Sequence, residues 1–149
     1  MDKSVFLDAH VQEKRMHSLL TEVLDLTMQM ADAADRGDEI TIQLLLGMRA
    51  DPLENLKQVR LSLEQLRDSL SPEEGRYLAA ILNGGPAQQP KEKPLANQVE
   101  INRKLFRQVL SCDQRLNQKV TRDNSIYKNR PSADMGVEQE NPSGLSFRA

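Results

Sequence analysis

The sequence predicts an all-α protein: a long antiparallel helical hairpin, a short third helix and a fourth helix, forming a coiled-coil-like helical bundle with a disordered C-terminal tail. Composition supports this class, because 21 of the 149 residues are Leu while aromatic residues make up only 3%. Strands of a sandwich or barrel would need more β-branched and aromatic side chains. Heptad patterns run through two long segments. Gly, Pro and helix-capping residues stand between the segments.

The first heptad pattern predicts a helix over residues 3–36. Its seam positions are separated alternately by three and four residues, and neither Pro nor Gly interrupts them. Gly37 suits the left-handed position that closes a helix, and Asp38 suits the N-cap of the next one. Because the connection is short, the first two helices are expected to form an antiparallel hairpin. The seam consists of Phe6, Ala9, Glu13, Met16, Leu20, Val23, Thr27, Met30 and Ala34.

Residues 39–70 are predicted to form a second long helix with a kink near residues 47–52. Pro52 has no amide hydrogen for a helical bond and crowds the preceding turn. The apolar pattern nevertheless resumes directly after it, which favours a kink over the alternative of a separate helix beginning at Pro52. A short helix over residues 72–83 follows, because Ser71 and Glu74 form a capping-box pattern.

Residues 84–94 are rich in Gly and Pro and predict a linker before a fourth helix over residues 95–122. We expect one helical domain, residues 1–122, and a flexible tail, residues 123–149, because the tail is polar and lacks periodicity. The fourth helix has a second heptad seam with two polar interruptions. Its positions are Leu95, Val99, Asn102, Phe106, Val109, Asp113, Leu116 and Val120.

The sequence offers little for catalysis or metal binding. The two histidines, His10 and His17, lack the spacing and the additional ligands of a metal site. Cys112 has no His near it in sequence and is best explained as a small apolar residue. As the single cysteine it excludes an internal disulfide and indicates a reducing compartment. No Gly-rich phosphate loop is present. We therefore expect no enzyme activity, no metal and no cofactor.

The net charge of −2 hides a division along the chain. Residues 1–83 carry a formal charge of −6 and residues 84–149 carry +4. The favoured interpretation is that a basic fourth helix packs against acidic ones, and the alternative is a basic surface facing a partner. No apolar run reaches the ~20 residues of a transmembrane helix, and the N-terminus has no signal-peptide core. We expect a cytoplasmic protein without membrane insertion.

Apolar side chains exceed what a plain four-helix core requires. Met16, Met28, Met30 and Met48 gather in the first hairpin. Met-rich surfaces often bind helical partners, although core packing is the plainer explanation. Residues 44–46 make the second helix apolar nearly all round. This segment must be covered by the fourth helix, by a second copy of the chain or by a client helix.

Four segments, in this order of elements, carry a resemblance to a known family: LLTEVLDL at 19–26, ADRGD at 34–38, LEQLR at 63–67 and NRKLF at 102–106. They resemble the FlgN-type flagellar export chaperones of the bacterial type III secretion system. The resemblance implies a cytoplasmic chaperone that holds helical terminal segments of hook-associated proteins and delivers them to the export apparatus. Gly47, Pro52 and the Pro-rich linker depart from the usual pattern of the family.

We place the client-binding groove on the second and fourth helices. Chaperones of this type often hold a client helix in a shared helical bundle, which requires an apolar face with helical spacing. The hypothesis assigns this role to Leu56, Val59, Leu63, Phe106 and Val109.

Two apolar residues in the polar tail, Ile126 and Tyr127, are assigned to docking on the flagellar export gate. A tyrosine ring with its hydroxyl suits a short docking motif. The alternative is that both residues fold back and cap the end of the bundle.

Two other classes of function compete with the chaperone hypothesis. The first alternative is a homo-oligomeric coiled-coil protein with a structural or adaptor role and no secretion client. The second, less favoured, is a nucleic-acid-associated regulator that uses the basic fourth helix, although nucleic-acid binders usually show a stronger basic excess.

Overall fold

The structure is a computed structural model, and it describes residues 1–124, with side chains up to residue 121. These residues contain four α-helices and no strand. The predicted all-α class is therefore confirmed. The elements are α1 (Lys3–Asp35), α2 (Glu39–Asp68), α3 (Pro72–Leu82), a 3-10 helix (Pro90–Glu92) and α4 (Lys93–Asn124). The predicted disordered tail lies outside the described residues, apart from the last two residues of α4.

The chain divides into two compact units. The first unit contains Met1–Thr21 and Glu54–Arg107, and the second contains Glu22–Leu53 and the chain from Gln108 onward. Helices α1, α2 and α4 each contribute one segment to the first unit and another to the second, whereas α3 belongs to the first unit. Each unit is a bundle of helical segments around its own apolar core.

The turn between α1 and α2 has the predicted chemistry. Gly37 adopts a φ of 68°, the left-handed conformation that glycine reaches without a steric penalty. The amide of Thr41 donates to Asp38 Oδ1 at 3.1 Å, and the Thr41 hydroxyl donates to Asp38 Oδ2 at 2.6 Å. These bonds, the hydroxyl bond first, lower the pKa of the Asp38 carboxyl. Asp38 is thus the N-cap of α2, as the sequence predicts.

Helix α2 continues through Pro52 without a break. The alternative of a separate helix beginning at Pro52 is therefore wrong. Pro52 is buried, and burial of its ring offsets part of the cost of the missing amide hydrogen bond. The kink predicted near residues 47–52 stays a prediction.

Pro52→Ala is expected to stabilise the protein. Alanine restores an amide donor inside α2 and favours the helix by up to ~3 kcal/mol, while the loss of buried ring carbons costs about 0.8 kcal/mol each. The net expectation is an increase of about 1 kcal/mol in the free energy of unfolding, measured by urea denaturation. Ala50→Gly, on the exposed side of the same helix, should move stability in the opposite direction. A less stable Pro52→Ala protein would mean that packing of the ring outweighs its helix-breaking effect.

Ser71 caps the N-terminus of α3 as predicted, but the Glu74 carboxylate contacts the Ser71 side chain, whereas a capping box uses the backbone amide of the cap residue. The Glu74 amide donates to Ser71 Oγ at 3.2 Å, and Pro72 occupies the first turn. The reciprocal contact runs from the Ser71 hydroxyl to Glu74 Oε1, also at 3.2 Å, between the two side chains. The side chains thus fix the start of α3 directly after α2.

The predicted linker over residues 84–94 is too long. Pro90–Glu92 forms a 3-10 helix and α4 begins at Lys93, because proline is compatible with the first turn of a helix. The buried Glu92 carboxylate accepts hydrogen bonds from the Tyr77 hydroxyl at 2.6 Å and from the Gln88 amide at 2.9 Å. This carboxylate ties the connection to α3. Composition alone did not predict this hydrogen bond, because Tyr77 and Glu92 are 15 residues apart in sequence.

The two heptad seams form the interior of the bundles, as predicted. Every seam position of α1 and α4 is buried or half-buried. The core of the first unit contains Phe6, Ala9, Val59, Leu63, Leu78, Ile81, Leu95 and Val99. The core of the second unit contains Leu26, Met30, Ala34, Leu45 and Leu116.

Candidate helix-binding surface

A polar pair joins α1 and α4 inside the first unit. Asn102 Nδ2 donates to the backbone oxygen of Glu13 at 2.7 Å and to Glu13 Oε1 at 2.8 Å. Gln98 Nε2 in turn donates to Asn102 Oδ1 at 3.1 Å. Burial raises the pKa of the Glu13 carboxyl, and the bond from Asn102 opposes the rise. Buried polar groups of this kind fix the register of neighbouring helices, because a slip would leave them without partners.

Glu13→Gln is expected to change how stability depends on pH. The folded pKa of Glu13 is raised above 4.5, so its contribution to stability is fully present below about pH 4.5 and is lost as the pH rises through the folded pKa. The introduced side-chain amide still accepts the Asn102 bond but has no proton to lose. Relative to wild type, the variant should therefore gain stability between acid and neutral pH in urea denaturation. Glu100→Gln, at an exposed position on α4, is the control. Parallel pH profiles for wild type and Glu13→Gln would contradict the expectation.

A buried arginine joins the three helical segments of the second unit. Arg49 Nη1 on α2 donates to Thr27 Oγ1 on α1 at 2.9 Å and lies 3.3 Å from Asp113 Oδ1 on α4. The Thr27 hydroxyl in turn donates a hydrogen bond to the Val23 carbonyl oxygen at 2.7 Å. Burial lowers the pKa of the guanidinium, and the Asp113 carboxylate opposes this shift. Arginine stays charged even so, and the ion pair is enclosed within the unit.

Arg49 is not among the residues predicted from the sequence, although the helical pattern contains a signal for it. The buried positions of α2 follow the same alternation of four and three residues as the other seams, and Arg49 occupies one of them. A lone basic residue at a core position must find a carboxylate or acceptors. The positions are Leu45, Arg49, Pro52, Leu56, Val59 and Leu63.

The five predicted groove residues are packing residues in this structure. Leu56, Val59 and Leu63 are buried in α2 within the first unit, and Phe106 on α4 is half-buried there. Val109 is buried in the second unit. A client could reach the buried positions only if neighbouring helices moved away. A groove at these positions stays a prediction.

An open apolar surface lies instead on the first half of α2, in the second unit. Ile40, Leu44 and Met48 are 78%, 63% and 56% exposed. Four-residue spacing places them on one face of the helix, and we call them the α2 row. Beside them, a Cβ added to Gly47 would meet no atom within 4 Å, so the surface is open there.

The bundle covers only part of the apolar segment at residues 44–46. Leu45 points into the core of its unit, whereas Leu44 and Leu46 remain exposed. The methionines divide in the same way: Met30 is buried, but Met28 and Met48 are exposed. Core packing therefore explains only part of the apolar excess that the sequence shows.

The surroundings of the α2 row are acidic. Residues 22–53 include seven acidic and two basic side chains. Arg49 is buried against Asp113, and Arg36 lies 3.8 Å from Asp38 Oδ2. The charged side chains left exposed on α2 up to residue 53 are Glu39 and Asp51. The α2 row is therefore an apolar stripe with one carboxylate near each end, Glu39 and Asp51.

Cys112, His10 and His17 lie at buried or half-buried positions. Cys112 is buried, and burial raises the pKa of its thiol, which disfavours the reactive thiolate. His10 and His17 are half-buried on α1. Among the described residues, no three His, Cys, Asp or Glu side chains are grouped to hold a metal ion. Within residues 1–124 no helix has the length and apolarity to cross a bilayer. Ile126 and Tyr127 lie outside the described residues.

Comparison with known proteins assigns no family. No protein-family model, no curated protein and no solved structure matches the chain. A functional proposal must therefore depend on the residues and contacts of this chain, together with the resemblance that its sequence patterns carry.

Proposed function

We propose that this protein is an export chaperone of the FlgN type, which binds helical terminal segments of hook-associated proteins and delivers them to the flagellar type III export apparatus. The observation that carries the proposal is the α2 row, in which three large apolar side chains stand more than half exposed on one helix face. An amphipathic client helix covers such a row with its own apolar residues at three- and four-residue spacing. Covering a side chain of this size contributes about 1.5–3 kcal/mol.

The position of the α2 row also suits reversible binding. Leu45 and Arg49 on the opposite side of the same helix hold α2 in its bundle, so a client can dock without opening the core. Release then leaves a folded chaperone behind. Docking on the export gate through Ile126 and Tyr127 remains part of the proposal.

Leu44→Glu is expected to weaken client binding by at least ~100-fold, because the substitution removes an apolar contact and places a charge against the apolar face of the client. The measurement is a titration with the helical terminal segment of a hook-associated protein, with light scattering to establish a 1:1 complex. Leu7→Glu is the matched control, since Leu7 is 57% exposed on α1 in the first unit. Both variants should keep the helical circular dichroism spectrum. Wild-type affinity in folded Leu44→Glu would overturn the proposed site.

The alternative of a homo-oligomeric structural protein is favoured by a different observation. Leu7 and Val11 form a second exposed apolar pair on α1, which another copy of the chain could cover. Under this alternative, light scattering without client gives an oligomer over a wide concentration range, and Leu7→Glu dissociates it. Under the chaperone proposal the protein without client has no such dependence on Leu7.

A further inference from the structure

The acidic residues around the α2 row define the chemistry of its partner. We propose that the row docks a basic amphipathic helix, with an apolar stripe bordered by Lys or Arg near both ends. This inference deepens the proposed function and rests on it only in taking the partner to be a helix. Its new content is the charge of that helix, which follows from the second unit alone.

Within residues 22–53 the exposed carboxylates outnumber the basic side chains. Arg36 stands near Asp38, and Lys119 Nζ on α4 lies 2.7 Å from Asp35 Oδ1. The other exposed carboxylates take part in no ion pair within the described part of the chain. They are Glu22, Asp25, Asp32, Glu39 and Asp51.

Two of these carboxylates are placed to meet a docked helix. At ~1.5 Å per residue, the row from Ile40 to Met48 is ~12 Å long. Glu39 precedes the row by one residue and Asp51 follows it by three, so both lie within about one Debye length (~8 Å) of its ends at physiological salt. A partner helix covering the row therefore gains most from basic residues within about one turn of its apolar stripe.

A second copy of this chain fits the surface poorly. Two α2 rows packed antiparallel would bring Glu39 of one copy towards Asp51 of the other, and parallel packing would align identical carboxylates. Both arrangements place like charges together, which opposes association. The same repulsion disfavours a nucleic acid at this surface. A basic helix alone satisfies both the apolar row and its acidic ends.

Gly47 is consistent with close approach of such a helix. Glycine lowers the stability of a helix interior relative to alanine. Here it stands beside the apolar row with open space where a side chain would be. A partner backbone can therefore come nearer at this point than elsewhere along the row.

The test uses the full chain and two synthetic helical peptides with the same leucine stripe, one bordered by Lys and the other by Glu. By fluorescence anisotropy, the Lys peptide is expected to bind at least ~10-fold more tightly at low salt, with the difference shrinking as salt rises. Glu39→Lys combined with Asp51→Lys should reverse this preference. The matched control reverses two exposed carboxylates of the first unit, Asp8→Lys with Glu100→Lys, and should preserve it. Circular dichroism checks that each variant is folded.

The outcomes separate this inference from the proposed function. Equal binding of both peptides, lost in Leu44→Glu, would overturn the charge preference and leave the chaperone proposal standing. Binding of a hook-associated client but of neither peptide would have the same meaning. If neither peptide nor client binds, both proposals fail.

Two further outcomes identify other occupants and would overturn the inference. Residues 125–130, outside the described residues, include the basic side chains Lys128 and Arg130. If Lys128→Glu with Arg130→Glu tightens binding of the Lys peptide ~10-fold or more, the occupant is this segment of the chain itself; the expected result is no change. If light scattering shows a dimer that Leu44→Glu dissociates, the occupant is a second copy.

Discussion

Replacement of Asp113 by leucine is expected to lower the free energy of unfolding by about 3–5 kcal/mol. The Arg49 guanidinium is 0% exposed, and Asp113 Oδ1 stands 3.3 Å from its Nη1. Without that carboxylate the fully buried positive charge loses an ionised partner that stands within hydrogen-bonding reach. The single substitution therefore removes an attraction while the cost of burying the cation remains. Urea denaturation measures the loss, and an unchanged slope of free energy against urea confirms that compactness is preserved.

The double variant Arg49→Met with Asp113→Leu is the decisive companion. It removes both charges and keeps similar volume, and buried ion pairs replaced in this way often cost little or even stabilise. Most of the loss should therefore be recovered. Asp35→Ala, which removes an exposed carboxylate near Lys119, should cost less than about 1 kcal/mol. A loss of that small size for Asp113→Leu would show that the buried pair contributes no more than a surface pair does.

Leu63→Glu is expected to destabilise the protein by about 3–5 kcal/mol, through lost burial and the cost of placing a carboxylate in an apolar core. Leu63 is 7% exposed in the core of the first unit. Leu61, two residues away on the same helix, is 45% exposed, and Leu61→Glu should change stability by less than about 0.5 kcal/mol. Thermal melting of the pair measures the difference. Equal melting temperatures would contradict the burial of Leu63.

Because Leu63 is buried, Leu63→Glu is a poor test of the predicted client groove. A loss of client binding in Leu63→Glu would report unfolding as readily as a lost contact. Leu63→Ala, which keeps the site apolar, is the better probe at low temperature, where the variant remains folded. A folded variant that binds client normally would count against the groove, while Leu44→Glu tests the exposed α2 row independently.

The sequence predicts the burial of the polar seam positions but not their hydrogen-bond partners. The heptads placed Glu13, Thr27, Asn102 and Asp113 on interior faces, and the structure confirms that all of them are buried. Their partners did not follow from the pattern. Glu13 and Asn102 are separated by 89 residues, and a periodicity within each helix carries no information about which helix lies opposite. Arg49 completes the other group from a third helix.

The export-chaperone hypothesis depends on helical patterns and four short segments, and it places the client groove on a face of α2 and α4 that includes Leu56, Val59, Leu63, Phe106 and Val109. Four of these five positions are buried within the bundle, and Phe106 is half-buried. Ile40, Leu44 and Met48 were left exposed by the packing of α2 against its neighbours, and no single-helix pattern separates a covered apolar stripe from an open one.

The sequence by itself determined the number and approximate ends of the four α-helices, because capping, glycine and proline effects act within a few residues and heptad spacing defines a face within each helix. The tertiary structure decided which apolar face remained open, which carboxylate met Arg49 and how the linker was held to α3 through Glu92. These features depend on segments far apart in the chain, whose proximity is set by the packing of whole helices. The candidate binding surface belongs to this second group, because exposure is a property of neighbours and not of the residue itself.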